Sequence, residues 1–346
     1  MSQPTMEDVA RLAGVSRALV SLVMRDSPKV SNHSRTAVLD AADQLGYRPN
    51  LAARILASRK TSTIGLVLDD LHNPFFPDIA DGVNEAAEQS DYRLLMNSAF
   101  LTPASEQRAV ETFLEFRTDG VIIVGSRLAA GAIETAAESV PIVVVGRPLR
   151  SDRVDSVNNN ETRGARLVVD HLVELGHGRI AHIDGGRGAG AAQRRAGFVA
   201  AMKRHGLRPD VVSGDFTEAG GVAAMRELLA RRRRPTAVFA ANDLTAVGAL
   251  GCTEDAGLSV PDDISLVGYD NVALAATHHI SMTTVDQPRN EMGRLAVATL
   301  LERLEGSRSS VARHVLAPSL RIRSTTAPPG PAARRKRAGT RNNPGR

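Results

Sequence analysis

The sequence predicts an α/β protein with a small all-helical N-terminal domain and, behind it, two lobes of parallel sheet covered by helices. Three observations carry this. From Ile64 onward, short and nearly continuous apolar runs alternate with amphipathic helical stretches, the pattern of strands buried on both faces. The same alternation begins afresh near Glu161. The first 49 residues, by contrast, show only helical periodicity, punctuated by Gly14 and Pro28. A chain of 346 residues, 42% of them hydrophobic, can fill several cores.

The helical domain, residues 1–49, reads as three short helices. In "TMEDVARLAG", Thr5 is placed to cap the N–H of Asp8 while the Asp8 carboxylate answers the first-turn dipole. Met6, Val9, Ala10, Leu12 and Ala13 form the apolar stripe, and Gly14 permits the turn. Ser16 caps a second helix with Leu19, Val20 and Val23 at buried spacing. Ser31 caps a third, whose Ala37, Val38, Ala41, Ala42 and Leu45 share one face and which Gly46 stops. A four-residue break between the first two helices makes a helix-turn-helix, whose second helix enters a DNA major groove. With Leu19, Val20 and Val23 inward, Arg17, Ala18 and Ser21 face out: Arg17 toward a guanine edge, Ala18 toward a thymine methyl, Ser21 toward a base or phosphate. Ser16, Ser31 and Asn32 suit phosphate oxygens.

Residues 50–60 form a hinge and linker. Asn50 follows Pro49 and can cap a short helix to about Ala57, too short to be stable alone. Arg54 on it is a further candidate DNA contact. Leu56 is either a linker residue packed on the body or a wedge between base steps of the minor groove.

In the body, "TIGLVLDD", "YRLLMNSA", "GVIIVGS" and "PIVVVG" read as strands separated by helices. "RIAHIDG", "TAVFAAND" and "ISLVGYD" repeat the pattern, "NEMGRLAVATLLERLEG" adds a helix, and "ARHVLAPSLRIRST" is strand-like. One lobe is expected over 61–160 with 288–324, the other over 161–287, and ligands of such sheets sit at the carboxyl ends of the strands. The Pro-, Gly- and Arg-rich stretch 325–346 reads as a disordered basic tail with a non-specific attraction to DNA.

Charge is divided along the chain. Residues 1–60 hold nine Lys or Arg against five acids and 331–346 hold six against none, while the 270 between hold 28 against 33. A basic head on an acidic body suits a nucleic-acid-binding head carried by a domain with another task. The single Cys252 excludes a disulfide framework and a thiolate cluster. No run of 18 apolar residues and no leader pattern is visible, so no membrane partner and a cytoplasmic location are expected.

Catalytic patterns are thin. Gly186, Gly188 and Ala191 sit between a strand and a helix in the spacing of a dinucleotide fingerprint. Arg194 and Arg195 follow, however, and no acid closes the next strand at the required distance, Asp210 lying in "LRPD". The turn is better read as bringing backbone close to a ligand in the cleft or as shaping the cleft rim. His171, His177 and His182 are poorly spaced for a metal, and no serine lies in a nucleophile elbow. The expectation is no enzyme, no cofactor and no metal.

Taken in order, "MEDVARLAGVSRALVSLVM", "VSNHSRTAVLDAADQLGYRPNLAARIL", "TIGLVLDDLHNPFF", "HLVELGHGRIAHIDGG", "RRAGF", "ANDLTAVGAL", "ISLVGYD" and "MTTVDQP" resemble the LacI/GalR family of bacterial transcriptional regulators, from about Met6 to Arg323. The resemblance implies a core like the periplasmic sugar-binding proteins, a homodimer on a near-palindromic operator, and a small effector, usually a sugar and sometimes a purine. It places Arg17 and Ala18 at base-reading positions and Leu56 at the hinge leucine. It places Asp70, Asn73, Phe75, Arg147, Arg194, Asn242, Asp243 and Asp270 on the effector cleft. The pattern departs at Leu19, at Leu22, where an arginine is usual, and at Met24–Arg25. Arg25 is the candidate to replace the missing phosphate contact. The absence of a heptad run after Ser324 favours a dimer over a tetramer. The competing expectation is a sugar-binding protein or enzyme on the same two-lobed fold without DNA readout.

Overall fold

A computed structural model describes residues 4–24, 27–48, 61–99 and 101–330. The chain divides into two compact units, Met1–Thr61 and Ser62–Arg346.

In the first unit, helix α1 (Met6–Ala13) begins at a reciprocal cap: the Asp8 N–H donates to Thr5 Oγ1 (3.3 Å) and the Thr5 N–H to Asp8 Oδ2 (2.9 Å). Gly14 ends it at φ 65°, a left-handed conformation that costs a side-chain-bearing residue more. Ser16 Oγ accepts from the Leu19 N–H (3.2 Å) and starts α2 (Arg17–Val23). Ser31 Oγ accepts from the Ser34 N–H (3.2 Å) and starts α3 (Asn32–Gln44). Val9, Val20, Val23, Val38 and Ala41 make the centre of the core. Two details differ from the apolar pattern: Leu12 is 50% exposed, and Tyr47, beyond the last helix, closes the core instead. A helical stripe fixes which side faces inward but not where the covering chain ends.

The second unit holds two six-stranded sheets. The first contains β1 (Thr63–Leu68), β2 (Arg93–Ser98), β3 (Gly120–Val124), β4 (Ile142–Val145), β5 (Asp155–Asn159) and β11 (Arg313–Leu316), in the order β11-β5-β4-β3-β1-β2 and parallel throughout. The second contains β6 (Ile180–Ile183), β7 (Asp210–Val212), β8 (Ala237–Ala240), β9 (Ser265–Asp270), β10 (Thr283–Asp286) and β12 (Ser319–Arg321), in the order β12-β10-β9-β8-β6-β7, with only β12 antiparallel. Both sheets therefore reverse strand order at the same place, between their first and third strands, where doubly wound sheets open a crevice.

Helices cover both faces. In the first lobe, α4 (Phe75–Gln89) and α11 (Arg289–Leu304) pack on Ile64, Leu66, Leu68 and Ile122. On the opposite face, α5 (Pro103–Glu115) and α6 (Ala130–Ala136) pack on Val67, Ile123 and Val144. In the second, α7 (Glu161–Glu174) and α8 (Ala191–Arg204) cover one face, and α9 (Glu218–Ala230) and α10 (Asp243–Asp255) the other. Among the described residues no helix is long and apolar enough to cross a membrane.

Three segments differ from the sequence reading. "VDSVNN", which is absent from the strands read in the sequence, contains the buried strand β5, whose polar residues hid it. The stretch 288–324 is not confined to the first lobe: β11 joins the first sheet and β12 the second, so the chain crosses between lobes here as well as after β5 and after β10. Residues 325–330, expected to be disordered, pack on the second lobe. Thr325 O accepts from the Leu266 N–H (2.8 Å), and Ala327 O accepts from Ser265 Oγ (3.0 Å) and His177 Nε2 (2.9 Å). The remainder of that tail, 331–346, lies outside the described residues.

Candidate effector cleft and DNA-reading face

On the helical unit, Ser16, Arg17 and Ala18 are exposed at the start of α2, while Ser21 and Leu22 are half-buried one turn on. Leu22 packs against the head core, so the position where the sequence departs from the family pattern is partly turned to packing. Ser31 and Asn32 are exposed at the start of α3. Arg25, Asn50, Arg54 and Leu56 lie outside the described residues.

Within the body, the carboxyl ends of strands from both sheets converge on one cleft, with about 670 Å³ of empty space, its open mouth included. Asp69 and Asp70 follow β1, Gly125 and Arg127 follow β3, Phe216 follows β7, Asp270 ends β9 and Gln287 follows β10. Asn73, Phe75 and Phe76 enter from the start of α4, and Gly188 from the loop after β6. That glycine loop shapes the rim: a Cβ at Gly188 would sit 2.3 Å from the Phe216 ring.

Arg194, on the first turn of α8, is the centre of the second-lobe wall and is 3% exposed. Its Nε and Nη2 donate to Glu161 Oε2 at 3.0 and 2.8 Å, and Nη1 donates to the Ala241 carbonyl. The guanidinium lies 3.5 Å from the Tyr269 ring centroid, with Phe216 5.5 Å away. A planar cation held by a carboxylate and an aromatic face is fixed in orientation before any ligand arrives. Asp270 has φ 111° and accepts from Gln287 Nε2 at 2.6 Å. Burial pushes its carboxyl well above the usual range, with Arg194 opposing that shift. Across the cleft, Arg127 Nε donates to both oxygens of Asp69 (2.8 and 2.9 Å), and burial raises the Asp69 carboxyl despite this partner. The Arg127 N–H donates to the buried Glu106 (2.7 Å), which ties the loop down from behind.

Of the eight residues expected on the cleft, Asp70, Asn73, Phe75, Arg194 and Asp270 line it together. The other three lie behind its wall. Arg147 turns to the carbonyls of Leu128 and Ser126. Asn242 caps α10 through the Thr245 N–H (2.9 Å) and donates to the Phe216 carbonyl (3.0 Å), so it positions a lining residue. Asp243 is spent within the second lobe on Thr284 Oγ1 (2.6 Å) and the Val272 N–H (2.9 Å). Sequence reading missed Asp69, Arg127, Glu161, Phe216 and Gln287. The strand-end rule could have found Asp69 and Arg127, since each follows an apolar run, but Glu161 and Gln287 required knowing where the chain crosses between lobes. The histidines serve packing: His182 stacks on Phe239 (4.5 Å between centroids) and lies beside Phe198 (5.1 Å), and His177 ties Thr236 to Ala327.

The cleft thus offers several carboxylates against two guanidiniums, with phenylalanine rings from both lobes. It can exchange paired hydrogen bonds with a ligand rich in hydroxyls while the rings cover an apolar face.

Comparison with known proteins adds the following. The model for bacterial regulatory proteins, lacI family, matches residues 5–50, and that for the periplasmic binding protein-like domain matches residues 169–326. The ribose operon repressor of Haemophilus influenzae is 34% identical over 93% of this chain and 98% of its own length. The HTH-type transcriptional repressor PurR of Erwinia tasmaniensis is 36% identical over 88% of this chain and 91% of its own. The structure of the Lac repressor bound to ONPG superposes with a TM-score of 0.86 at 29% identity, covering 94% of this chain and all of that one.

Proposed function

The chain belongs to the lacI family of bacterial regulatory proteins, DNA-binding repressors under small-ligand control, and from that premise we propose that its ligand is a neutral sugar or sugar derivative held in the body cleft. We further infer that it acts as a cytoplasmic homodimer on a near-palindromic operator and is not an enzyme.

The observation that carries the ligand class is the clamp on Arg194. Its Glu161 partner and Tyr269 face leave a flat, pre-oriented donor edge beside Asp270 and Gln287, while Asp69, Asp70 and Asp215 make the cavity unfavourable to an anion. Phe75 and Phe216 supply the apolar faces a sugar ring presents to. The ribose operon named for the Haemophilus relative fits this class.

Control follows by linkage. A ligand that prefers one arrangement of the lobes shifts operator affinity by its differential binding, about 1–3 kcal/mol in such systems, or 5- to 150-fold. On the DNA side we assign base contacts to Arg17, Ala18 and Ser21, phosphate contacts to Ser16, Ser31, Asn32, Asn50, Arg54 and Arg25, and the minor-groove wedge to Leu56. With leucine at position 22, the operator has to be selected rather than copied from a relative. The test is a thermal-shift screen of sugars and nucleobases, followed by binding to a selected palindromic duplex with and without each hit. A sugar that stabilises the body and shifts operator affinity at least fivefold is expected. Stabilising ligands that leave operator affinity untouched would overturn the coupling, and hits confined to nucleobases would overturn the ligand class.

A further inference from the structure

Away from the cleft, the second lobe gathers arginines from three places. Arg179 precedes β6, Arg208 precedes β7, and Arg231–Arg234 join α9 to β8, so all stand where the strands begin, at the opposite edge of the sheet from the cleft. They border a hollow with about 960 Å³ of empty space, its open mouth included, lined by Arg179, Arg208, Arg231, Arg233, one carboxylate, Asp210, and two prolines. Arg231 is neutralised, donating to Asp210 (2.8 Å) and Glu227 (2.6 Å). Arg179 and Arg234 donate to main-chain carbonyls, Arg234 and Leu229 (3.0 and 2.7 Å), which orients them without cancelling their charge. Arg208, Arg232 and Arg233 are exposed and, among the described residues, have no carboxylate partner. Of the other carboxylates at this end, Asp170 is bonded to Arg204 and His205, Glu174 ends α7, and Glu254, Asp255, Asp262 and Asp263 belong to the α10–β9 segment, beyond β8.

An arginine run is ordinarily a solvated face. Here the fold adds Arg179 and Arg208 to it from separate strands, which raises the local potential at a cost in self-repulsion.

We propose that this edge is a second, sequence-independent contact for the phosphate backbone of duplex DNA, separate from the helical reading head. Arginines pair with phosphate oxygens in planar, two-pronged fashion, and the hollow carries no aromatic ring on which unpaired bases would stack. A regulator of this kind, seated on one site, gains a means of holding a neighbouring DNA segment.

The test measures the full-length protein against a random-sequence duplex by fluorescence anisotropy, from 50 to 200 mM salt, beside the R208A/R232A/R233A variant. The head is common to both, so the difference reads the edge alone. The expected result is at least tenfold weaker binding at low salt and a log–log salt slope shallower by about 2–3. The R208K/R232K/R233K variant, which keeps the charge, is expected to retain most of the slope, and melting curves report that each variant is folded. An unchanged slope and affinity in the alanine variant overturns the proposal. So does a single strand of equal length binding more tightly than the duplex through these arginines. A third overturning result is inorganic tripolyphosphate binding that the alanine variant loses while its duplex binding stays unchanged.

Discussion

Arg194 shows most directly how one residue is prepared for its work. A buried guanidinium is tolerated only because Glu161, the Ala241 carbonyl and the Tyr269 ring replace the water it gave up. Arg194→Ala strands the Glu161 carboxylate, so urea unfolding of the body is expected to show a loss of about 3–5 kcal/mol together with loss of ligand binding. The double change Glu161→Gln with Arg194→Met is expected to recover part of that stability and none of the binding, a separation calorimetry can read. The two buried histidines set a different dependence. Burial lowers both His177 and His182 to about 4 from an ordinary 6.5. Below pH 6.5 the unfolded chain therefore takes up protons that the folded chain refuses. Their contribution is complete above that pH and is lost as pH falls toward 4, up to about 3 kcal/mol for each. Burial raises Asp270 and Asp243 to about 8 and about 6, and these act in the opposite sense over the same range, so the histidine contribution is read by difference: from pH 7 to 4.5 the unfolding midpoint of His177→Gln is expected to gain on that of the unsubstituted protein.

At the scale of elements, caps and close approaches do the positioning. Ser16 begins the helix that carries Arg17, and Ser16→Ala is expected to lower head stability by about 1 kcal/mol and weaken operator binding with it, as seen by melting and gel shift. Gly164 lies in α7 where a Cβ would come 2.2 Å from Tyr269 Oη. Gly164→Ala is therefore expected to push Tyr269 from beneath Arg194 and from its bond with Asn159 (3.0 Å), with ligand affinity falling more than head-dependent DNA binding. Much at this scale was legible beforehand. The helices α1, α2 and α3 announce themselves through Thr5, Ser16, Ser31, Gly14 and Gly46 because capping is chemistry between residues two to four apart. Strands such as Ile142–Val145 are evident because all four residues are buried and apolar. Strand β5 was missed for the converse reason: Asp155, Ser156, Asn158 and Asn159 are buried polar residues, and their partners, such as Arg303 and Arg308 on Asp155, come from the far end of the chain.

For the body as a whole, the question is what sets the two lobes relative to one another. Arg289 begins α11 at a crossing point and reaches both sides: Nε donates to Asp78 of the first lobe (2.8 Å) and Nη2 to the Asn271 carbonyl of the second (2.9 Å). Its Nη1 makes no hydrogen bond but lies 4.0 Å from Asp286 Oδ1, a pair that a small movement of the lobes would bring into bonding distance. Arg289→Met removes a contact specific to this arrangement. A several-fold change in effector affinity is expected by shifting the lobe equilibrium, with no change in operator sequence preference, and small-angle scattering of the effector-free protein is expected to register the altered opening.

The sequence by itself determined the helical head, the doubled β/α grammar and the division of charge, because each is written in local spacing, and its resemblance to a family supplied five residues of the cleft wall. The tertiary structure decided which polar groups meet. It turned Arg147, Asn242 and Asp243 to the back of the wall and brought in Asp69, Arg127, Glu161, Phe216 and Gln287. It also gathered Arg179, Arg208 and Arg231–Arg234 on one edge. The physical reason is the same in each case: a side chain's direction is set by packing between elements 17 to 58 residues apart, as for Gln287 on Asp270 and Arg127 on Asp69, and no local periodicity or cap pattern spans both ends of such a contact.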